Sequence, residues 1–354
     1  MMATLYVTEQ GSRIEKEYHR ILVTLDGEVI QSVLLRSVSE VVLVGTCGAT
    51  TPALLALLDA GVGLTFISRS GQLRGRLSSA KSSNLNLRLK QYARQQDEAF
   101  CLQVARNITV GKISNYRTMA RRFLRSIHSA QSKSKLQHLI RLKDQSKIEA
   151  LENSITRFND LLTQLKEVDN MDVIRGLEGT ASKLYFSYLR AGLRWQGEQV
   201  FARRQRRPPK DPINALLSLG YTLLGLCFET AIEVTGLDPQ AGYFHTNQYG
   251  RPSLALDLVE EFRPIIVDSI VCCMVNRHML KPAHFTVGEG GKTLLNRQGL
   301  KIFFHQFHRR INTQVYHPLA GRALTYQKCF EVQTILLRKV INGEEAEYLA
   351  MPWK

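Results

Sequence analysis

Residues 63–108, GLTFISRSGQLRGRLSSAKSSNLNLRLKQYARQQDEAFCLQVARNI, change half-way along from one periodic pattern to another. The first part of this stretch consists of short β-branched runs separated by Gly and Ser, a pattern typical of strands. From Leu85 onward, apolar residues recur at spacings of three and four with few glycines, which predicts long helices. Residues 77–84, LSSAKSSN, are small and polar, and we interpret them as a linker.

Upstream of this stretch the sequence remains β-rich, with the short runs LYVTEQ, RILVTL, EVIQSVLL and EVVLVG. Asp26-Gly27 predicts a tight hairpin turn, and Ser70-Gly71 predicts another. Thr51-Pro52 predicts the start of a short helix that stops at Gly61. We therefore predict an α+β protein, with a small β-rich N-terminal domain in residues 1–82.

Downstream we predict a larger all-α domain in residues 83–354. Its first helix carries arginines interleaved with apolar residues, and a Lys/Gln/Ser-rich loop around residues 129–147 is expected to follow it. After the loop, IEALENSITRFNDLLTQLKEV predicts a second helix. The arginines of the first helix are Arg94, Arg106, Arg117, Arg121, Arg122 and Arg125.

Composition excludes several classes of protein. The 354 residues are 44% hydrophobic and 22% charged, which is typical of a folded chain and excludes global disorder. The six cysteines form no CxxC pair, which excludes a disulfide scaffold and a zinc ribbon and fits a cytoplasmic location. No apolar run reaches the roughly 18 residues that span a bilayer, so no membrane association is expected.

The positive charge is concentrated in the middle of the chain. The net charge is +16, and residues 83–207 carry 24 basic and 11 acidic side chains, a net of +13. A basic surface of this size attracts polyanions, most commonly nucleic acid. The alternative is a solvated basic face without a ligand. No strongly apolar face accompanies the basic clusters, which disfavours membrane binding.

Three segments carry candidate chemistry. Glu178 lies between two glycines in GLEGTAS, where it is either functional or a first-turn glutamate that offsets a helix dipole. His245, in GYFHT, is either a ligand or a hydrogen-bonded structural histidine. In GRPSLALDLVEEFRP, Ser253 is a candidate N-cap. The same segment places Asp257 and Glu260 three residues apart on one helix face, with Glu261 beside them.

A metal site is one physical reason to place carboxylates in a basic domain. One histidine with two carboxylates is a mostly oxygen donor set, which suits Mg²⁺ or Mn²⁺ better than Zn²⁺. Next to a DNA-binding surface, such an ion can polarise a phosphodiester. The spacing alone does not establish that Glu178, His245 and Glu260 converge.

Several motifs, in order, resemble one known family, the CRISPR-associated spacer integrases, the first of the two universal adaptation proteins of CRISPR systems. They are EVVLVG, TPALLALLDAGVGLTFISRSGQLRGRL, GLEGTASKLYF, RRPPKDPINALLSLGYTLL, GYFHT, GRPSLALDLVEEFRPIIVD and the closing segment TYQKCF…MPWK. The resemblance covers nearly the whole chain. It implies a β-domain that mediates homodimerisation and a helical domain that holds the active site.

The resemblance also implies residue roles. Divalent-metal ligands are implied at Glu178, His245 and Glu260, with Asp257 at a further acidic position near the metal. Some members carry aspartate at the position of Glu260. The loop RRQRRPPKDP resembles a family loop beside the active site, which implies DNA contacts from Arg203, Arg204, Arg206 and Arg207.

The function implied is metal-dependent DNA cleavage and integration, in which the 3′-OH of a short foreign DNA fragment attacks a phosphodiester at a CRISPR repeat. The implied partners are double-stranded prespacer and repeat DNA. They also include a dimer of the small second adaptation protein, flanked by two homodimers in a heterohexamer. Two rival functions are a non-catalytic DNA-binding scaffold and a branched-DNA repair nuclease without integration.

Overall fold

The computed structural model describes residues 3–69, 71–77, 84–133, 137–205, 208–245 and 250–353. The predicted division into a strand-rich N-terminal part and a mostly helical remainder is confirmed. The linker interpreted at residues 77–84 falls mostly outside the described residues, because only its two ends are covered. Leu77 ends a strand, and the side chain of Asn84 caps the helix that follows by accepting a hydrogen bond from Leu87 N.

The N-terminal part contains two four-stranded sheets and one α-helix within residues 3–69 and 71–77. One sheet has the order β1-β5-β7-β8 and the other β4-β3-β2-β6. The strands are β1 (Ala3–Val7), β2 (Arg13–Glu17), β3 (Arg20–Leu25), β4 (Glu28–Leu34), β5 (Val38–Val44), β6 (Gly48–Ala49), β7 (Gly63–Ile67) and β8 (Leu73–Leu77). The helix α1 (Thr51–Asp59) lies between β6 and β7 and has proline in its first turn, as predicted.

The β3–β4 hairpin turns at Asp26-Gly27, as predicted, and both residues have positive φ angles, of 52° and 84°. Two positive φ angles in a two-residue loop match the twist of the flanking strands, which explains the Asp-Gly pair. β7 and β8 also pair in antiparallel fashion around Gly71, whereas Ser70 lies outside the described residues. Apolar side chains including Ile14, Val41 and Leu64 form the core of this part.

Helices dominate the described residues from 84 onward. They are α2 (Leu85–Gln95), α3 (Glu98–Lys133), α4 (Gln137–Gln164), α5 (Met171–Gly192), α6 (Pro212–Val234), α7 (Ser253–Arg263), α8 (Ser269–Asn276), α9 (Arg297–Ile311) and α10 (Tyr326–Asn342). A π-helical segment, Pro264–Asp268, joins α7 to α8. Two short hairpins, β9 (Phe285–Val287) with β10 (Thr293–Leu295) and β11 (Gln314–His317) with β12 (Arg322–Thr325), interrupt the predicted all-α character.

The loop predicted around residues 129–147 is wrong. The backbone is helical up to Lys133 and again from Gln137, so α4 begins about ten residues before the segment predicted to be helical. Lys and Gln are good helix formers, and a polar composition alone does not distinguish a loop from an exposed helix. The first predicted helix is also interrupted, because α2 ends at Gln95 and the Asp97 side chain accepts a hydrogen bond from Phe100 N at the start of α3.

The core of the helical domain is built around α6 and α7. Phe228 on α6 packs against Phe262 on α7 and Phe330 on α10, with ring centroids 5.3 and 4.8 Å away. By length and composition α6 could cross a membrane, contrary to the expectation that no such run exists, yet 67% of its most apolar window is buried inside the protein. Its apolar character is that of a core helix.

Candidate active site

Glu178 lies on α5, in the middle of the helix and not in its first turn. The helix begins at Met171, where the Asn170 side chain caps it by accepting hydrogen bonds from Asp172 N and Val173 N. Two helical turns separate Glu178 from that end, so it does not offset the helix dipole, and the alternative interpretation of this residue is wrong. Ser182, one turn further on, donates a hydrogen bond to Glu178 Oε1 over 2.8 Å.

His245 ends a short loop that wraps around one carboxylate of α7. Asp257 Oδ2 accepts hydrogen bonds from Tyr243 N at 2.7 Å and Phe244 N at 3.0 Å. Asp257 Oδ1 accepts from His245 N at 2.9 Å and lies 2.7 Å from His245 Nδ1. The Asp257 side chain is fully buried. It therefore fixes both the backbone of the loop and the orientation of the imidazole.

The tight approach of this loop to α7 requires glycine at position 242. A Cβ atom there would lie 2.7 Å from the carbonyl carbon of Ser253 and 2.8 Å from Asp257 Oδ2. Ser253 itself is buried and is the first residue of α7, following Pro252 at the cap position, so the prediction of a Ser253 N-cap is wrong by one residue. Asp257 and Glu260 share one face of α7, as predicted, and both reach His245.

Glu260 is the central carboxylate of the site. Its Oε1 lies 2.6 Å from Arg263 Nη1 and 3.7 Å from His245 Nε2, and its Oε2 lies 2.5 Å from Lys112 Nζ. Burial alone would raise the pKa of Glu260, but Arg263, Lys112 and His245 outweigh it and lower the pKa to about 2. Glu260 is therefore ionised at neutral pH despite being only 2% exposed.

Lys112 on α3 joins the two glutamates, and the sequence analysis missed it. Its ammonium contacts Glu178 Oε1 as well as Glu260 Oε2. Burial of the side chain disfavours the charged form, but Glu260, Tyr116 and Glu178 together hold the pKa of Lys112 above its ordinary value. The sequence contained a signal for this placement: Lys112 lies four residues from Ile108 and four from Tyr116, in the apolar row of α3.

Glu261 faces away from this cluster. Its Oε1 accepts hydrogen bonds from Tyr348 Oη at 2.5 Å and Gln333 Nε2 at 3.1 Å, and its Oε2 accepts one from Met351 N at 2.5 Å. Asn115, one turn from Lys112 on α3, holds the same terminal segment by accepting a hydrogen bond from Trp353 N at 2.8 Å. The C-terminal segment thus ties together the two helices that carry Lys112 and Glu260.

A layer of tyrosines lies next to Lys112. Lys112 Nζ is 5.6 Å from the centre of the Tyr116 ring, which stacks on Tyr185 with centroids 3.7 Å apart. The Tyr185 hydroxyl donates to Asp268, and Tyr221 donates to the other oxygen of Asp268 over 2.6 Å. These aromatic groups keep water from one side of the charged cluster.

Glu178, His245 and Glu260 are residue types that fit a divalent cation, although Lys112 lies between the two carboxylates. No group of three or more His, Cys, Asp or Glu side chains within the described parts of the chain is arranged closely enough to hold a metal as it stands. However, Glu260 Oε2 is buried without a properly oriented hydrogen bond, and it shares one nitrogen with Glu178 Oε1. Asp257 contacts Nδ1 of His245, so Nε2 is the ring nitrogen that remains to coordinate a cation. This nitrogen faces Glu260.

The arginines predicted to contact DNA differ in their surroundings. Arg203 is exposed. Arg204 is engaged within the protein, because its guanidinium donates to Asn214 Oδ1 at 2.8 Å and Ser218 Oγ at 3.2 Å. Arg206 and Arg207 lie outside the described residues.

The arginines of α3 divide in the same way. Arg106 donates to Val168 O and Arg117 to Asn159 Oδ1, so these two join α3 to the neighbouring segments. Arg121 and Arg125 are exposed. The guanidinium of Arg122 lies 4.1 Å from the centre of the Trp353 ring. The exposed basic surface on α3 is therefore restricted to its C-terminal half.

Comparison with known families gives a match over most of the chain. A family model described as CRISPR associated protein Cas1 matches residues 5–309. A curated CRISPR-associated endonuclease Cas1 of Chlorobaculum tepidum is 30% identical over 99% of this chain and 98% of its own length. One of Thermus thermophilus is 32% identical over 98% of this chain and 96% of its own. A Cas4/Cas1 fusion of Geobacter sulfurreducens is 32% identical over 97% of this chain. The match spans only 59% of the length of that fusion protein.

Solved structures share the fold. A Cas1 protein from Thermotoga maritima has a TM-score of 0.75, with 21% identity over 99% of both chains. A casposase bound to integration product has a TM-score of 0.78, with 21% identity over 99% of this chain and 93% of its own. One chain of a Cas6-RT-Cas1–Cas2 complex has a TM-score of 0.79 and 21% identity. The match covers all of the present chain and 36% of the chain in the complex.

Proposed function

The chain belongs to the Cas1 family of CRISPR-associated proteins, and from this premise we propose that it is a divalent-metal-dependent DNA endonuclease and integrase that inserts short DNA fragments into a CRISPR array. One observation of the structure supports the proposal most directly. Glu178 from α5 and Glu260 from α7 contact the same nitrogen, and His245 Nε2 faces Glu260 at 3.7 Å. Lys112 Nζ thus lies between the two glutamates, and His245 faces the other oxygen of Glu260.

Glu178, His245 and Glu260 would hold Mg²⁺ or Mn²⁺. When bound, the ion supplies positive charge that neutralises the scissile phosphate and favours the attacking and leaving oxygens. Both carboxylate oxygens of Asp257 accept hydrogen bonds from residues 243–245. We therefore assign Asp257 the role of orienting His245 and not that of a metal ligand. Arg263 fixes Glu260 from the side opposite to Lys112.

In the proposed reaction, a 3′-hydroxyl oxygen attacks a phosphodiester phosphorus. A new P–O bond forms, the bond to the leaving oxygen breaks, and the proton lost by the attacking hydroxyl is balanced by one gained at the leaving oxygen. One phosphodiester replaces another, so no phosphate anhydride is consumed. With water as the nucleophile the same site would cleave DNA, and the relatives from Chlorobaculum and Thermus are named endonucleases.

Double-stranded DNA is the proposed substrate, and the basic charge supports it. The net charge of +13 in residues 83–207 includes the exposed Arg121, Arg125 and Arg203. One neighbouring structure holds a casposase with its integration product and another is a complex that contains Cas2. We extend the DNA substrate and a small Cas2-type partner to this chain as proposals, with a homodimer on each side of a partner dimer in a heterohexamer.

A strand-transfer assay tests the proposal. Fluorescent short duplex DNA and a supercoiled plasmid that carries a repeat are incubated with the protein, with and without the small partner, in Mn²⁺ or EDTA. We expect joined product with the wild type and Mn²⁺, and none with Glu178→Ala or EDTA. The matched control, Glu167→Ala, removes an exposed glutamate and should retain activity.

Each rival function gives a different result in this assay. A DNA-binding scaffold would bind DNA without joining or cutting it, and Glu178→Ala would change nothing. A repair nuclease would cut branched DNA in Mn²⁺ without forming joined product. Either result would contradict the proposed integrase.

A further inference from the structure

The cluster of Lys112, Glu178 and Glu260 contains a feature that a metal site by itself does not need. Lys112 is one of the most deeply buried charged side chains, with 2% of its surface exposed, and its ammonium lies between the two proposed ligand carboxylates. A buried ammonium is costly unless it is paired, and here it is paired twice.

Lys112 is the charge that the two glutamates share. Arg263 also pairs with Glu260, but through Oε1, whereas Lys112 takes Oε2. Glu178 Oε1 contacts the ammonium of Lys112 and the hydroxyl of Ser182. Lys112 therefore places one positive charge in contact with both carboxylates.

A divalent cation held by both glutamates would draw on the same two carboxylates. Glu178 Oε1 and Glu260 Oε2 both lie within contact distance of Lys112 Nζ, so an ion bound by both glutamates and the ammonium compete for one region of negative charge. Two cations in contact with the same oxygens repel each other strongly where water is scarce. The buried ring of Tyr116, 5.6 Å from Lys112 Nζ, adds to the buried surroundings of the ammonium.

We propose that Lys112 is the internal counter-ion of the Glu178–Glu260 pair and competes with the divalent cation for these carboxylates. The metal-free protein keeps its site folded because Lys112, together with Arg263 on Glu260, offsets the two negative charges. Binding of the ion requires the ammonium to give up at least one of its two contacts, and this lowers the metal affinity below that of the ligands alone. The inference rests on the metal site of the proposed function.

The test is the Mn²⁺ affinity of the full-length protein, measured by isothermal titration calorimetry without DNA. Lys112→Met removes the charge and keeps most of the volume, and we expect it to bind Mn²⁺ about tenfold more tightly or better, a change in the dissociation constant that one lost competing contact can produce. Lys112→Arg keeps a cation and should bind no more tightly than the wild type. Lys301→Met removes an exposed lysine and should match the wild type.

Melting temperatures in EDTA and in Mn²⁺ provide a second test, which applies even if Lys112→Met folds poorly without metal. We expect Lys112→Met and Lys112→Gln to melt below the wild type in EDTA, because the buried Glu260 and the partly exposed Glu178 lose the counter-ion that they share. Saturating Mn²⁺ should then raise the melting temperature of these variants more than that of the wild type. An equal or smaller rise would overturn the inference.

The outcomes separate the inference from the proposed function. If the wild type binds Mn²⁺, Glu178→Ala does not, and Lys112→Met binds with unchanged or lower affinity, the metal site stands and the role of Lys112 is overturned. If the wild type does not bind Mn²⁺, or Glu178→Ala binds as the wild type does, the metal site itself is overturned and the inference with it.

Discussion

The imidazole of His245 is held by Asp257, whose Oδ1 lies 2.7 Å from Nδ1 of the ring and also accepts a hydrogen bond from the His245 backbone N–H. In a neutral imidazole, a carboxylate at Nδ1 favours the tautomer with the proton on Nδ1 and the lone pair on Nε2. That nitrogen faces Glu260 at 3.7 Å. The pairing therefore decides which histidine nitrogen is presented to a cation.

Asp257→Asn should abolish this arrangement with little change in volume. An amide has one oxygen in place of two, so the hydrogen bonds from the loop and from the ring cannot all be kept. We expect Mn²⁺ affinity and strand transfer each to fall by about 10- to 100-fold, the range seen when partners of metal-bound histidines are lost. Calorimetry and the strand-transfer assay measure these effects, and Asp172→Asn, at an exposed position on α5, is the control. Unchanged Mn²⁺ binding would contradict the positioning role.

Gly242→Ala should separate the loop from α7. The new Cβ would meet backbone atoms of Ser253 and Leu254 at 2.7 and 2.9 Å, so the loop must shift and pull His245 with it. We expect a lower denaturation midpoint and weaker Mn²⁺ binding. Gly225→Ala on α6 is the control, since nothing lies within 4 Å of its Cβ, and it should stabilise the protein by about 0.5–1 kcal/mol. Chemical denaturation compares the two, and equal midpoints would refute the prediction.

Glu229 on α6 should make stability depend on pH. Burial raises the pKa of Glu229 to about 7, Arg76 opposes this, and Glu233 and Glu40 add to it. Because burial disfavours the ionised form of Glu229, the folded state is most stable below the unfolded pKa of about 4.5. It loses stability relative to the unfolded state as pH rises from there through 7. Glu229→Gln should therefore gain stability relative to the wild type at pH 8 and not at pH 4.5. Denaturation midpoints at both pH values test this, with Glu167→Gln as the exposed control; an equal difference at the two pH values would contradict it.

DNA binding should depend steeply on salt, with contributions from the exposed end of α3. Arg121→Gln and Arg125→Gln each remove one charge, and each should lower the slope of log affinity against log salt by about one if the side chain contacts a phosphate. Fluorescence anisotropy at several salt concentrations measures the slope. Arg36→Gln, an exposed arginine of the β-rich part, should leave it unchanged. A slope near zero for the wild type would argue against a DNA-binding surface.

The β3–β4 hairpin should carry the proposed homodimer contact. Val29 and Ile30 are 55% and 45% exposed on the edge strand β4, and Tyr18 at the β2–β3 turn is 87% exposed. Edge strands with exposed apolar residues are prone to pair with another chain. Ile30→Asp should shift the protein to monomer in sedimentation velocity, whereas Val287→Asp, 67% exposed in the helical part, should not. A dimer that survives Ile30→Asp would place the contact elsewhere.

Much of the fold could be predicted from local sequence. The Asp26-Gly27 turn, the Thr51-Pro52 helix start and the change of periodicity at Leu85 are all present in the structure. These signals are local, because turn residues and apolar spacing act over a few positions. The loop predicted around residues 129–147 failed for the same reason, since its polar composition also suits an exposed helix.

Local sequence patterns were enough to predict the two-part architecture, the family, and the placement of Asp257 and Glu260 on one helical face. That α5, α7 and the loop ending at His245 meet could be seen only in the folded protein, because contacts such as that of Lys112 with Glu178, 66 positions apart, leave no local pattern. The tertiary structure also decided that Lys112 stands between Glu178 and Glu260. The spacing shows Lys112 on an apolar face, but the charges that compensate its burial come from two other helices, brought there by packing alone.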